Sequence, residues 1–229
     1  MKKLLLGIAA VCLAGFTFAQ DAPLWMRHSV ISPDGTTIAF TYKGDIYTVP
    51  VAGGRAMQIT TNPAYDTAPV WSPDSKRIAF ASDRMGSLDV YIVAKDGGEP
   101  RRLTTHSGSE TPLAFTDAGH VLFSAGIMPS AEAVVFPSNG QFNQVYRVSV
   151  EGGRPTMISS MPMECISINK EGAMLYQDKK GYEDYWRKHH VSPIARDIWM
   201  YTPGKEPQYR QLTTFGGEDR EPVWAPDGK

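Results

Sequence analysis

Pro69-Val70-Trp71-Ser72-Pro73-Asp74-Ser75-Lys76-Arg77-Ile78-Ala79-Phe80 is the stretch on which the reading of this chain turns. Val70-Trp71 and Ile78-Ala79-Phe80 are short apolar runs of strand-favouring residues. Ser72-Pro73-Asp74-Ser75 joins them as a turn, with Ser at the first position and Pro, whose φ is preset, at the second. A copy stands upstream as Ile31-Ser32-Pro33-Asp34-Gly35 with Ile38-Ala39-Phe40, and another closes the sequence as Pro222-Val223-Trp224-Ala225-Pro226-Asp227-Gly228-Lys229. That last copy has a turn with only one strand attached, so the repeat array is expected to be cut short.

With Asp34, Asp74 and Asp117 taken as equivalent, the spacings are 40 and 43 residues; the weaker fourth copy puts Lys170 in that place, 53 further on, and Asp227 follows after 57. Periods of about 40 to 50 residues with several strands each mark β-propeller blades. Within each period a second strand-like run carries an acid or amide before an aromatic: Asp45-Ile46-Tyr47, Asp89-Val90-Tyr91, Gln144-Val145-Tyr146 and Asp197-Ile198-Trp199. Hairpin glycines follow, Gly53-Gly54, Gly97-Gly98 and Gly152-Gly153, with Pro203-Gly204 in the fourth. A final run closes on Ile59-Thr60-Thr61, Leu103-Thr104-Thr105, Ile158-Ser159-Ser160 or Leu212-Thr213-Thr214. Four strands joined by short turns make an antiparallel blade. The expected fold is therefore all-β, an incomplete β-propeller of four four-stranded blades plus the first strand of a fifth. The expected blades cover about 28–66, 67–109, 110–162 and 163–219, with a truncated one at 220–229. Phe40, Phe80, Phe123 and Tyr176, with Trp71 and Trp224, are expected to fill the layers between blades, each burying roughly 150 to 250 Å².

The repeats differ most in one connection. Phe40 to Asp45 spans 5 residues and Phe80 to Asp89 spans 9, but Phe123 to Gln144 and Tyr176 to Asp197 span 21 each. Connections of equal rank leave a propeller on the same face, which places these two insertions side by side. The second is rich in recognition-type residues: Tyr182, Tyr185, Trp186, Arg187, His189 and His190. Trp, Tyr and Arg dominate binding hot spots, so one reading is a peptide- or domain-binding surface; the other is a long loop burying its own aromatics. The links between blades reach the same face and bring Asp66, Glu110, Glu164, Glu218 and Asp219. Asp66, Glu110 and Asp219 are candidates for gripping a cation or a peptide amino group, against the plainer role of capping turns.

Other chemistries find no support in the sequence. His189-His190 are adjacent and no third ligand is signalled by spacing, so no metal is expected. Ser32 and Ser72 recur in equivalent places, as structural residues do and a nucleophile does not. Neither a G-x-S-x-G elbow nor an H-E-x-x-H motif occurs. No catalytic residue and no cofactor are expected. A formal net charge of −1 with scattered basic residues argues against a nucleic-acid partner.

Residues 1–20 read as an export signal: Lys2-Lys3, an uncharged run from Leu4 to Phe18, then Thr17-Phe18-Ala19. That run is shorter than the roughly 20 residues needed to span a bilayer. Cleavage is expected after Ala19 or Gln20, giving a periplasmic or extracellular product with no membrane association beyond the signal. Cys165 is then the only cysteine left, which allows no internal disulfide.

The repeat Pro69 to Phe80, followed by Asp89-Val90-Tyr91 and a Gly-Gly turn before Arg101-Arg102-Leu103-Thr104-Thr105, resembles the propeller repeat of TolB and the tricorn proteases. Trp25-Met26-Arg27, Tyr42-Lys43-Gly44-Asp45-Ile46-Tyr47 and the run Lys179 to His190 are similar to secreted tricorn-like serine peptidases of Bacteroidetes-type bacteria. The resemblance implies a longer parent with a PDZ domain and a C-terminal peptidase core, and a non-catalytic propeller that guides or binds peptides or unfolded polypeptide for that core. It transfers no catalytic residue to this sequence. Two other parents carry similar repeats: a TolB-like protein-binding module without an enzyme, and a prolyl-oligopeptidase-like peptidase. Phe115-Thr116-Asp117-Ala118-Gly119 and Asn169-Lys170-Glu171-Gly172 depart from the Ser-Pro-Asp-Gly pattern, which predicts less regular third and fourth blades.

Overall fold

The computed structural model describes residues 25–126, 143–180 and 194–225, so the export-signal reading and the Tyr182 to His190 insertion lie outside the described residues. Among the described residues the chain forms strands and turns without helices, arranged as four four-stranded antiparallel sheets in simple meander order. Blade one holds β1 (Arg27–Ile31), β2 (Thr37–Tyr42), β3 (Asp45–Pro50) and β4 (Met57–Gln58). Blade two holds β5 (Asp66–Trp71), β6 (Arg77–Ser82), β7 (Asp89–Ala94) and β8 (Arg101–Arg102). Blade three holds β9 (Glu110–Asp117), β10 (His120–Ala125), β11 (Gln144–Ser149) and β12 (Thr156–Ser159). Blade four holds β13 (Met163–Ile168), β14 (Met174–Asp178), β15 (Ile198–Thr202) and β16 (Gln208–Gln211). The blades pack in chain order, one on two, two on three, three on four, and do not close into a ring.

The Ser-Pro-Asp turns are locked by their own side chains. Ser32 Oγ donates to Asp34 at 2.6 Å and accepts from the Thr37 amide at 3.0 Å; Ser72 does the same with Asp74 at 2.5 Å and the Arg77 amide at 2.9 Å. Both serines are buried in these turns and are structural. The turn of blade four differs from the expected match. The Gly172 amide bonds the Asn169 carbonyl at 3.1 Å, as Gly35 bonds Ser32 at 2.8 Å, so Lys170 stands in the proline's place and not the aspartate's. The Asn169 carboxamide does the anchoring there, accepting from the Glu171 and Ala173 amides.

The first strands carry a second periodic device that the residue pattern does not reveal. His28, Ala68, Cys165 and Glu221 all adopt positive φ, between 50° and 54°. In blades one, two and four the register slips at this point, which is a β-bulge. Blade three has Pro112 there, whose ring forbids positive φ, yet its β9–β10 register slips at the same place, between Pro112 and Ala114, and again beside His120. Glu221 sits two residues after Asp219, as Ala68 sits two after Asp66, so the segment entering the fifth blade follows the path of the others.

Burial follows the expected aromatics. Phe80, Phe123 and Tyr176 are fully buried, Phe40 and Trp71 nearly so. The seam between blades one and two joins Ala39, Ile46 and Ile59 to Trp71, Ile78, Phe80 and Tyr91. The next joins Ala79, Val90, Ile92 and Leu103 to Phe115, Phe123 and Tyr146, and the third joins Leu122 and Val145 to Met174 and Tyr176. Trp224 is only half-buried, resting on blade four through Ser167.

Candidate functional site

All inter-blade links run across one end of the blades, and each link acid is tied to the blade before it. The Asp66 amide bonds the Gly44 carbonyl at 2.7 Å, Glu110 bonds Leu88 at 2.7 Å, and Asp219 bonds Arg196 at 3.0 Å. Each acceptor immediately precedes the blade's own aspartate, Asp45, Asp89 or Asp197. Asp66, Glu110 and Asp219 therefore occupy one repeated position. Glu164 does not: Met163 takes that place, and Glu164, one residue on, pairs instead with Lys179 at 3.2 Å and Arg196 at 3.4 Å. Burial opposes its charge, but Lys179, Gln177 and Arg196 outweigh burial and hold its carboxyl below the usual range.

In blades one, two and four an aspartate at the start of the third strand locks the last strand. Asp45 accepts from Gln58 Nε2 at 3.0 Å, Asp89 is bridged by Arg102 at 2.8 Å, and Asp197 accepts from Gln211 Nε2 at 3.0 Å. Beside each, a threonine hydroxyl accepts the next backbone amide: Thr60 from Ile46, Thr104 from Val90 and Thr213 from Ile198, at 2.9 to 3.0 Å. These hydroxyls explain the recurrent Thr-Thr ends of the repeats.

The two buried link acids differ in their partners. Asp66 is fully buried, and Arg84 Nη2 lies 3.0 Å from both its carboxylate oxygens. Glu110 is 1% exposed, and neither of its oxygens has a hydrogen-bond partner of normal geometry among the described residues. Burial pushes its pKa up to about 7; the Thr104 hydroxyl, the Arg102 charge and the nearby His106 amide offset this only in part, and the Asp89 charge adds to it. Asp219 is half-buried, flanked by Glu218, which pairs with Arg196 and Arg220.

Two clefts open between blades beside these acids. The first, of about 260 Å³, is lined by Thr60, Thr61, Arg84 and Gly98-Glu99-Pro100. The second, of about 1150 Å³, is lined by the matching Thr104, Thr105 and Gly153-Arg154-Pro155, and by Glu110, Tyr146 and Met157.

The long insertions leave from this same end, between Ala125 and Gln144 and between Asp178 and Ile198. Tyr182, Tyr185, Trp186, Arg187, His189 and His190 lie outside the described residues. The base of their loop is pinned: Lys180 Nζ donates to the Asp197 carboxylate and, at 2.9 Å, to the Ala195 carbonyl. No cluster of three potential metal ligands occurs among the described residues. The sequence places Asp66, Glu110 and Asp219 on one face but does not single out Arg84, which pairs with Asp66, whereas Glu110 has no cation of its own among the described residues. The only signal for Arg84 was a basic residue four places after the aromatic of the second strand.

Residues 23–228 match the family described as "Tricorn protease N-terminal beta propeller domain". A tricorn protease homolog of Streptomyces coelicolor is 24% identical over 207 residues, which is 90% of this chain and 18% of that protein. An uncharacterized peptidase of Bacillus subtilis, YuxL, is 30% identical over 231 residues, covering 100% of this chain and 31% of the relative. The chain thus spans less than a third of either relative. Among solved structures, the tricorn protease superposes with a TM-score of 0.67 at 19% identity, over 88% of this chain and 19% of its own. A putative TolB from Agrobacterium tumefaciens gives 0.60 at 23% identity, over 88% and 70%.

Proposed function

Since this chain belongs to the tricorn protease N-terminal β-propeller family, we propose that it is the non-catalytic, exported front of a longer peptidase, receiving unfolded polypeptide for a catalytic domain elsewhere in that protein. The observation that carries this reading is that the strand ends from which both long insertions leave and the repeated link acids share one end of the blades. An extended chain offers backbone amides, an amino terminus and side chains at regular intervals. The carboxylates at that end, together with an insertion whose sequence holds Tyr182, Tyr185, Trp186 and Arg187, offer charge and stacking groups to such a ligand. Export rests on the leader-like residues 1–20, and a PDZ domain and peptidase core in the longer protein rest on family likeness.

The test is fluorescence anisotropy with a labelled, carboxymethylated polypeptide that cannot fold, set against a folded protein of the same composition. Preference for the unfolded probe, weakened about tenfold by the double variant Tyr185→Ala/Trp186→Ala, is the expected result. Preference for the folded protein would turn the reading toward a TolB-like docking module. Binding indifferent to both residues would remove the insertion from the site.

A further inference from the structure

The first two seams are built on one plan and differ by a side chain. In the first, the Arg84 guanidinium carbon lies 4.5 Å from the Tyr91 ring centroid and 5.6 Å from that of Phe80, while its Nη2 contacts both Asp66 oxygens. Phe80 and Tyr91 stack at 5.9 Å. A desolvated carboxylate beside an aromatic pair is a cation's site, here filled from within the chain.

The second seam repeats the parts. Glu110 takes the place of Asp66, and Phe123 and Tyr146 stack at 5.6 Å. Four residues past Phe123, where the second blade has Arg84 after Phe80, the sequence has Ile127, which carries no charge. Arg102 is engaged by the fully buried Asp89 at 2.8 Å, so two buried acids share one guanidinium. The cleft over Glu110 is about 1150 Å³ against about 260 Å³ over the first seam.

We propose that the cleft between the second and third blades binds a ligand cation of the guanidinium or alkylammonium class, which takes beside Glu110 the place that Arg84 takes beside Asp66. The cation completes a two-by-two arrangement of charges with Asp89, Glu110 and Arg102, and removes the cost of an unpaired buried acid. The raised Glu110 pKa fits a carboxyl that awaits a counter-charge. The other titratable groups facing this space are Asp89, Arg102, His106, Glu151 and Arg154. The site lies at the end from which the insertions leave, but its test uses no residue of the insertions and does not need the polypeptide-guiding reading.

The test uses the full chain with n-butylguanidinium, n-butylammonium and n-butanol, followed by calorimetry and thermal melting. Saturable one-to-one binding of the two cations, a rise in melting temperature, no binding of butanol and at least a tenfold loss of affinity in Glu110→Gln are expected. Equal binding by Glu110→Gln, or equal binding of butanol, overturns the proposal. Should Glu110→Gln not fold, carbon NMR of the wild-type Glu110 carboxyl decides: its pKa falls when butylguanidinium saturates, and an unchanged pKa overturns the site. An arginine-containing octapeptide compared with N-acetylarginine amide identifies the source. Tenfold tighter peptide binding assigns an arginine of a polypeptide, and equal affinity assigns a free small cation.

Discussion

The Trp71 indole N–H donates to the Val30 carbonyl across the first seam at 3.2 Å, and Trp224 repeats the contact on the Ser167 carbonyl at 3.0 Å. Each tryptophan thus fastens the first strand of one blade to the first strand of the blade before. Trp71→Phe keeps the ring and loses the bond, at a cost of about 1 kcal/mol. Trp71→Ala also empties the layer beside Phe80 and Ile78 and should cost about 3–5 kcal/mol. Urea unfolding of the two variants checks the order.

Ser72 makes two hydrogen bonds inside its own turn, to the Asp74 carboxylate and from the Arg77 amide. Ser72→Ala leaves the half-buried Arg77 amide without its acceptor, and should lower stability by about 1–3 kcal/mol. A fluorophosphonate probe for activated serines should leave Ser32 and Ser72 unlabelled, since each hydroxyl proton is already committed to an aspartate. Labelling of either would contradict a structural role.

Much of this architecture was legible because a propeller writes its fold periodically: the Ser-Pro-Asp turns, the hairpin glycines and the buried Phe80, Phe123 and Tyr176 all recur at blade spacing. What escaped depends on register. Glu164 looks like a link acid in sequence, yet Met163 holds the link position, and the adjacent bulge at Cys165 is set by backbone conformation that no side chain announces. Lys170 was matched to an aspartate because the fourth turn substitutes one Asn169 carboxamide for a serine-aspartate pair. Arg84 escaped because its partner Asp66 is 18 residues away and, among the described residues, the pairing is not repeated in another blade.

Arg84 is the cation on which a fully buried Asp66 depends, and its own side chain is 11% exposed. Arg84→Met retains packing over Phe80 and Tyr91 but leaves the carboxylate unpaired, with an expected loss of about 3–5 kcal/mol. Arg84→Met/Asp66→Asn removes the orphaned charge and should recover more than half of that. A double variant no more stable than the single one would assign the loss to packing alone.

Glu110 gives the chain a pH dependence opposite in sign to that of its turn aspartates. Its folded pKa of about 7 lies above the ordinary 4.5, so the folded state holds a proton that the unfolded chain releases. Its contribution is fully present below about 4.5 and is lost as pH rises through about 7, by on the order of 3 kcal/mol. Asp74 behaves the other way: Ser72, then the Lys76 amide, hold its carboxyl below the ordinary 3.8, burial opposing, and the stability it adds is lost only in stronger acid. Wild-type stability should therefore fall between pH 5 and pH 8. Glu110→Gln, which cannot ionise, should be nearly flat over that interval while keeping the acid limb. Parallel profiles for the two proteins in urea unfolding would mean that Glu110 is already ionised in the folded chain at pH 5.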